Sequence, residues 1–316
     1  MKKTLDRLQL ARDIVEKRFS FDDENYGLFV CGCFCLLGKY GDTFLSLVEK
    51  VFNESNFVIS DDNVLKLAEE MGINEFSFAD LDSNELKFID GLSFNGIHYY
   101  FNYDGKVNKD FSNPVVIISS IGMNNNILLN TFIHEVNHLI KSQIDAEFCE
   151  EFNFYSVRCG LSLYEVNYSN GILIDNNLFN TLDEIINVYQ TTDMMIYLEE
   201  LKDLNFNDNI GKFLSMIDYS SLDLLSGYNG LVEVFNDLWD NDEFRNIVED
   251  DIITGNLDNI VNNFNNIMGR DCFLEFSNLC DEFACVESVE EYKSFENDVN
   301  LIINEFNIKT SYQYKK

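Results

Sequence analysis

Proline, histidine and basic side chains are all scarce in this chain of 316 residues. Proline occurs once, which excludes long proline-rich linkers between independent modules. The chain has 22 basic and 55 acidic residues, and the resulting net charge of −33 would repel a nucleic-acid backbone. We therefore expect no nucleic-acid partner. The chain is also long enough to bury a large core, as one domain or as two closely associated lobes.

Long apolar runs are also missing. The most apolar stretch, Tyr26 to Leu37, has about half of the roughly 20 residues that a membrane-spanning helix needs. Met1 to Ser20 has an amphipathic pattern with charged residues between the apolar ones, and it lacks the apolar core and cleavage site of a secretory signal. We predict a cytoplasmic protein without a membrane span; export by a route without a signal peptide stays open.

Disulfide bonds are not expected, although the chain has eight cysteines, because a chain of this size without an export signal keeps its thiols reduced. Cys31, Cys33 and Cys35 alternate with other residues, so a strand would present all three on one face. Their spacing lacks the C-x-x-C pattern of common metal sites. We predict buried, inert thiols here.

Helical and strand patterns divide the chain into two parts. Asn-Gly and Asp-Gly pairs flank the aromatic run His98 to Tyr103, which predicts a β-meander, and a further Asn170-Gly171 pair predicts a hairpin. From about Thr181 the apolar spacing is helical to the end of the chain. We predict an α+β lobe over 1–180, followed by an all-helical lobe over 181–316 that supplies a metal ligand.

The segment His134-Glu135-Val136-Asn137-His138 lies in a strong helical pattern that follows an apolar strand predicted over Val115 to Ser120. The apolar residues of this pattern form one continuous stripe that consists of Leu129, Phe132, Ile133, Val136 and Ile140. On such a helix the imidazoles of His134 and His138 leave the same face one turn apart. They can therefore bind a single zinc ion.

Glu135 lies next to the first of these histidines. It is placed to take a proton from zinc-bound water and to deliver it to the leaving group, as a general base and then a general acid. The chain has only three histidines, and two of them belong to this motif. The motif predicts a zinc-dependent hydrolase with one zinc ion per chain and a peptide or protein substrate.

A catalytic zinc site needs a third protein ligand and an open fourth position. The metzincin pattern is excluded, because its glycine and third histidine would fall on Lys141 and Ile144. His98 is one candidate for the third ligand. Glu184, at the start of a second predicted helix, is the preferred one.

Glu184 has a second interpretation. Thr181-x-x-Glu184 matches a capping box, in which the Glu184 carboxylate would bond the helix backbone instead of a metal. If Asn180 is the N-cap instead, Asp183 takes the capping role and the Glu184 side chain is available as a ligand.

An H-E-x-x-H motif on one helix, followed by a glutamate on a downstream helix, resembles the gluzincin group of zinc metallopeptidases over roughly residues 95–195. The resemblance implies a zincin-like fold with His134, His138 and Glu184 as ligands, Glu135 as the base, and an edge strand that binds an extended peptide. The chain departs from the group at Val188, where thermolysin-like members have an aspartate.

Three questions stay open at this stage. The donor that stabilises the oxyanion is a choice among Tyr189, Tyr219, Tyr228 and Arg158. The metal site also fits a non-catalytic zinc-binding domain for protein interactions. A zinc hydrolase of a non-peptide substrate would use the same residues.

Overall fold

The computed structural model describes residues 2–64, 66–67, 91–94, 114–142, 147–149, 154–167, 179–223, 229–284 and 289–313. Helices dominate this part of the chain. They are α1 (Lys2–Val15), α2 (Tyr26–Tyr40), α3 (Leu45–Glu54), α4 (Asn125–Lys141), α5 (Asn180–Met195), α6 (Asn209–Leu214), α7 (Asn229–Trp239), α8 (Asp242–Thr254), α9 (Leu257–Met268), α10 (Phe273–Ala284) and α11 (Val289–Gln313).

The strands are short and form two small sheets. They are β1 (Asn56–Ser60), β2 (Gly91–Phe94), β3 (Val115–Ser119), β4 (Glu147–Cys149), β5 (Phe154–Cys159) and β6 (Ser162–Asn167). In the first sheet β3 is central, parallel to β1 and antiparallel to β2. In the second sheet β5 is central and antiparallel to both β4 and β6.

The predicted fold class is wrong. The protein is mostly helical, and it is not a zincin-like α+β protein with a β-meander. Within the described ranges, parallel pairing joins only β1 and β3, which have five residues each. The prediction failed because it gave too much weight to local turn signals, whereas packing against neighbours decides whether a short apolar run becomes strand or helix. The predicted meander around His98 to Tyr103 lies outside the described residues.

The chain divides into two compact units, each formed by two stretches of sequence. One unit contains Met1–Ile140 with Gln190–Leu224, and the other contains Lys141–Tyr189 with Leu225–Lys316. The two lobes predicted over 1–180 and 181–316 stay a prediction.

In the first unit, the mostly apolar helix α2 packs against α1, α3 and α6. Its three cysteines are buried free thiols, and burial raises the pKa of each of them. The prediction of inert thiols is confirmed. The strand geometry considered for them is wrong, because an apolar run that is buried on all sides suits a helix as well as a strand.

In the second unit, aromatic rings form the core between the C-terminal helices. The Phe264 ring stacks on Phe306 at 4.8 Å and on Phe276 at 5.6 Å between centroids. Within the described residues the helical pattern predicted after Thr181 is confirmed. Helix α9 buries Ile260 and Phe264, and α11 buries Val299, Ile302 and Phe306. The hairpin between β5 and β6 turns at Gly160 and Leu161, and the predicted Asn170-Gly171 turn lies outside the described residues.

Across the described residues, no helix combines the length and the apolar character that crossing a membrane requires.

Candidate metal centre

Helix α4 carries the motif, and its packing follows the predicted stripe. Every residue of that stripe is at most 1% exposed, namely Leu129, Phe132, Ile133, Val136 and Ile140. Phe132 lies against Phe29 and Phe57, at 5.5 Å and 5.3 Å between ring centroids. The predicted helix and its buried face are confirmed, as is the strand Val115–Ser119 before it.

Gly32 of α2 allows α4 to come close. A Cβ atom at this position would lie 2.6 Å from two carbon atoms of the Phe132 ring, closer than real side chains approach. Only glycine therefore fits here without displacing Phe132. The close contact holds the α4 backbone two residues before His134.

A buried chain of hydrogen bonds also holds α4. The Tyr40 hydroxyl donates to Asn137 Oδ1 at 2.7 Å, and Asn137 Nδ2 donates to Gln190 Oε1 at 3.1 Å. Asn137 and Gln190 are fully buried. Because buried amides strongly favour being paired, these bonds fix the rotation of α4 directly beside His138 and tie it to α5.

His134, His138 and Glu184 come together. The Nε2 atoms of the two histidines lie 3.1 Å apart, and the ligand atoms of all three side chains lie within 4.8 Å of one another. His138 is 6% exposed, whereas His134 and Glu184 are half-buried. This group can hold a metal ion.

The donor set fits zinc. Two imidazole nitrogens and one carboxylate oxygen are common ligands of catalytic zinc. Tetrahedral zinc with Zn–N bonds of about 2.0 Å holds two ligand nitrogens about 3.3 Å apart, close to the 3.1 Å between His134 and His138. Half-exposure of two of the three side chains also suits a site with an open fourth position.

The start of α5 contains Thr181 and Glu184, the two residues of the predicted capping box. The helix begins at Asn180, so Phe179 holds the N-cap position, and its φ of 64° is outside the helical range. The Thr181 amide donates to the Asp281 carboxylate of α10 at 3.1 Å. Glu184 belongs to the group that could hold a metal ion, and its capping role stays an untested alternative.

Glu135 is 8% exposed and lies on the same helix turn as the first histidine ligand. This carboxylate is therefore largely sheltered from bulk solvent, and its role as the general base stays a prediction.

Tyr189, one of the four oxyanion candidates, is engaged elsewhere. Its ring stacks on Trp239 at 5.3 Å, and its hydroxyl lies 2.5 Å from the Val232 carbonyl oxygen and 2.8 Å from Asn236 Oδ1. Burial raises the pKa of this hydroxyl. Tyr189 is therefore a packing residue that joins α5 to α7.

Replacing Tyr189 with phenylalanine tests this assignment. We expect Tyr189→Phe to lower the free energy of unfolding by about 1 kcal/mol, the usual value of one hydrogen bond. Urea unfolding measures that loss, and the turnover rate on a peptide that the wild type cleaves should change by less than about twofold. A large fall in turnover with zinc still bound would instead make Tyr189 the oxyanion donor.

The other three oxyanion candidates stay predictions, and so does His98 as the alternative third ligand. Burial raises the pKa of Tyr219 to about 12, and its ring lies 5.6 Å from the Lys202 ammonium. Arg158 belongs to β5. Tyr228 and His98 lie outside the described residues.

Two charged residues beside the site were missed by the sequence reasoning. Lys141 ends α4, Asp183 lies in the first turn of α5, and the two form an ion pair with exposures of 0% and 1%. A lysine at a helix end and an aspartate at a helix start are ordinary features that favour the helix dipole. No sequence signal therefore marked them as a pair.

Comparisons with known proteins leave the family undetermined. No family model, no curated protein and no solved structure matches this chain.

Proposed function

We propose that this chain is a zinc-dependent metallopeptidase that hydrolyses peptide bonds with Glu135 as its general base. The observation that carries the proposal is the meeting of His134, His138 and Glu184, whose ligand atoms lie within 4.8 Å of one another. The glutamate between the two histidines is the feature that links such a ligand set to peptide hydrolysis. The resemblance to gluzincins now rests on this ligand set and the motif alone.

In the proposed mechanism His134, His138 and Glu184 hold the metal. When bound, zinc supplies Lewis acidity, which makes a water molecule more acidic and polarises the scissile carbonyl group. The Glu135 carboxylate takes one proton from the attacking water while the water oxygen bonds the carbonyl carbon. Glu135 then delivers that proton to the nitrogen of the breaking C–N bond, which leaves as an amine.

The buried contacts on α4 support this assignment of roles. Phe132 against Gly32 and Asn137 against Tyr40 leave the helix little freedom to rotate. Both histidine rings therefore keep their shared direction, and less ordering is needed when a metal binds.

Two histidines and a carboxylate also suit Fe(II), so the identity of the metal needs direct measurement. The purified chain should contain about one zinc ion and little iron by elemental analysis. Iron at one ion per chain would contradict the proposal.

The activity is tested with a mixture of peptides of varied sequence, incubated with the zinc-loaded chain in water enriched in ¹⁸O. We expect new peptide C-termini that carry the heavy oxygen, loss of cleavage after chelation, and its return with one equivalent of zinc. A zinc-loaded chain that leaves every peptide intact would contradict the peptidase assignment. Parallel assays on amide and ester substrates then separate a non-peptide hydrolase from a non-catalytic zinc protein.

A further inference from the structure

The ion pair between Lys141 and Asp183 is fully withdrawn from water. Lys141 Nζ lies 3.5 Å from Asp183 Oδ1, and the two side chains are 0% and 1% exposed. Removing one partner would leave the other charge buried without its ion pair, which is very unfavourable. We therefore expect the folded chain to keep this ion pair intact.

The turn between β5 and β6 completes the surroundings of this pair. The Leu161 amide donates to Asp183 Oδ1 at 2.8 Å, and the Gly160 amide donates to the Lys141 carbonyl oxygen at 3.4 Å. Gly160 has a φ of +61°, and a Cβ atom there would lie 2.1 Å from Asp183 Oδ1. The end of α4, the start of α5 and this turn therefore meet at one carboxylate.

The pair also lies beside the metal ligands. Lys141 follows His138 by one helical turn, and Asp183 directly precedes Glu184. Successive residues of a helix point about 100° apart, so the direction in which Asp183 is held also sets the direction of Glu184. A change in the rotation of α5 would move the third ligand away from the histidines.

We propose that Lys141 and Asp183 are positioning residues, which hold α5 so that the Glu184 carboxylate faces His134 and His138. The inference rests on the proposed zinc site but not on the reaction at that site. Buried ion pairs contribute little net stability compared with apolar residues of the same size. Their defined geometry can instead select one helix register, and here that register is the one in which the ligand group is complete.

The test compares zinc affinity in Asp183→Asn, Lys141→Met and the double variant, by competition with a chromogenic chelator. The double variant is the decisive one, because it removes both charges while the new side-chain amide keeps an oxygen that can accept the Leu161 N–H bond. We expect it to stay folded by circular dichroism and to bind zinc about 10- to 100-fold more weakly, the range typical of residues that orient metal ligands. The visible spectrum of the cobalt-loaded protein should change as well.

A second comparison separates positioning from a general effect on folding. In a Glu184→Gln background, which already weakens the third ligand, removing the pair should cause little further loss of zinc affinity. Glu305→Gln is the control, because it breaks the partly exposed ion pairs of Glu305 with Arg270 and Lys309 and should leave zinc affinity unchanged.

Wild-type affinity in the double variant would overturn the inference, and so would an equal loss in the Glu184→Gln background. Failure of the wild-type chain to bind zinc is a separate result, since it would overturn the proposed function itself and the inference with it.

Discussion

Glu135→Gln is expected to abolish hydrolysis and to leave zinc binding intact. The amide has nearly the same shape as the carboxylate but cannot accept the proton of the attacking water. General acid–base catalysis contributes about 10²- to 10⁴-fold to a rate, so turnover should fall by at least that factor. The zinc content and the unfolding midpoint of the variant should match those of the wild type, because Glu135 is not one of the grouped ligands.

Glu199→Gln is the matched control for this change. Glu199 is an exposed glutamate in the short 3₁₀ segment Ile196–Leu201, so the substitution removes the same charge at a position away from the motif. We expect its turnover to equal that of the wild type. If the Glu135 variant kept full turnover as well, the proposed role of Glu135 would be wrong.

Loss of either histidine ligand should release the metal. We expect His134→Ala and His138→Ala to weaken zinc binding by more than about 100-fold, beyond the 10- to 100-fold typical of residues that only orient ligands. Zinc at 100 times its dissociation constant stabilises the wild type by about 2.7 kcal/mol. This increment should vanish in both variants when unfolding is measured with zinc and with chelator.

His98→Ala is the informative comparison, since His98 is the remaining histidine of the chain and the alternative third ligand. We expect this variant to keep its zinc, whereas Glu184→Gln should bind zinc more weakly. The opposite pair of results would assign the third ligand to His98. Unfolding in chelator shows whether any variant is destabilised apart from the metal, which matters for His138 because it is buried.

The metal group was predictable because most of it is local. His134 and His138 are four residues apart, and helical geometry alone brings their rings together at that spacing. The apolar stripe from Leu129 to Ile140 predicts both the helix and its buried face, because the helical period can be read from residues close together in the sequence.

The fold class was not predictable in the same way. Tyr26 to Leu37 is apolar at nearly every position, so it carries no period that separates a buried helix from a buried strand. Its neighbours decide the outcome, and Gly32 against Phe132 is one of the contacts that favour a closely packed helix.

Taken alone, the sequence determined the helix that carries the motif and the pair of histidines on one face, with a glutamate between them. Tertiary structure decided that Glu184 joins that pair and that Tyr189 packs against Trp239. It also decided that Lys141 meets Asp183, 42 positions apart in the chain. The physical reason is sequence distance: neighbours within a helical turn are fixed by backbone geometry, whereas partners on different helices are brought together only by the packing of the whole core.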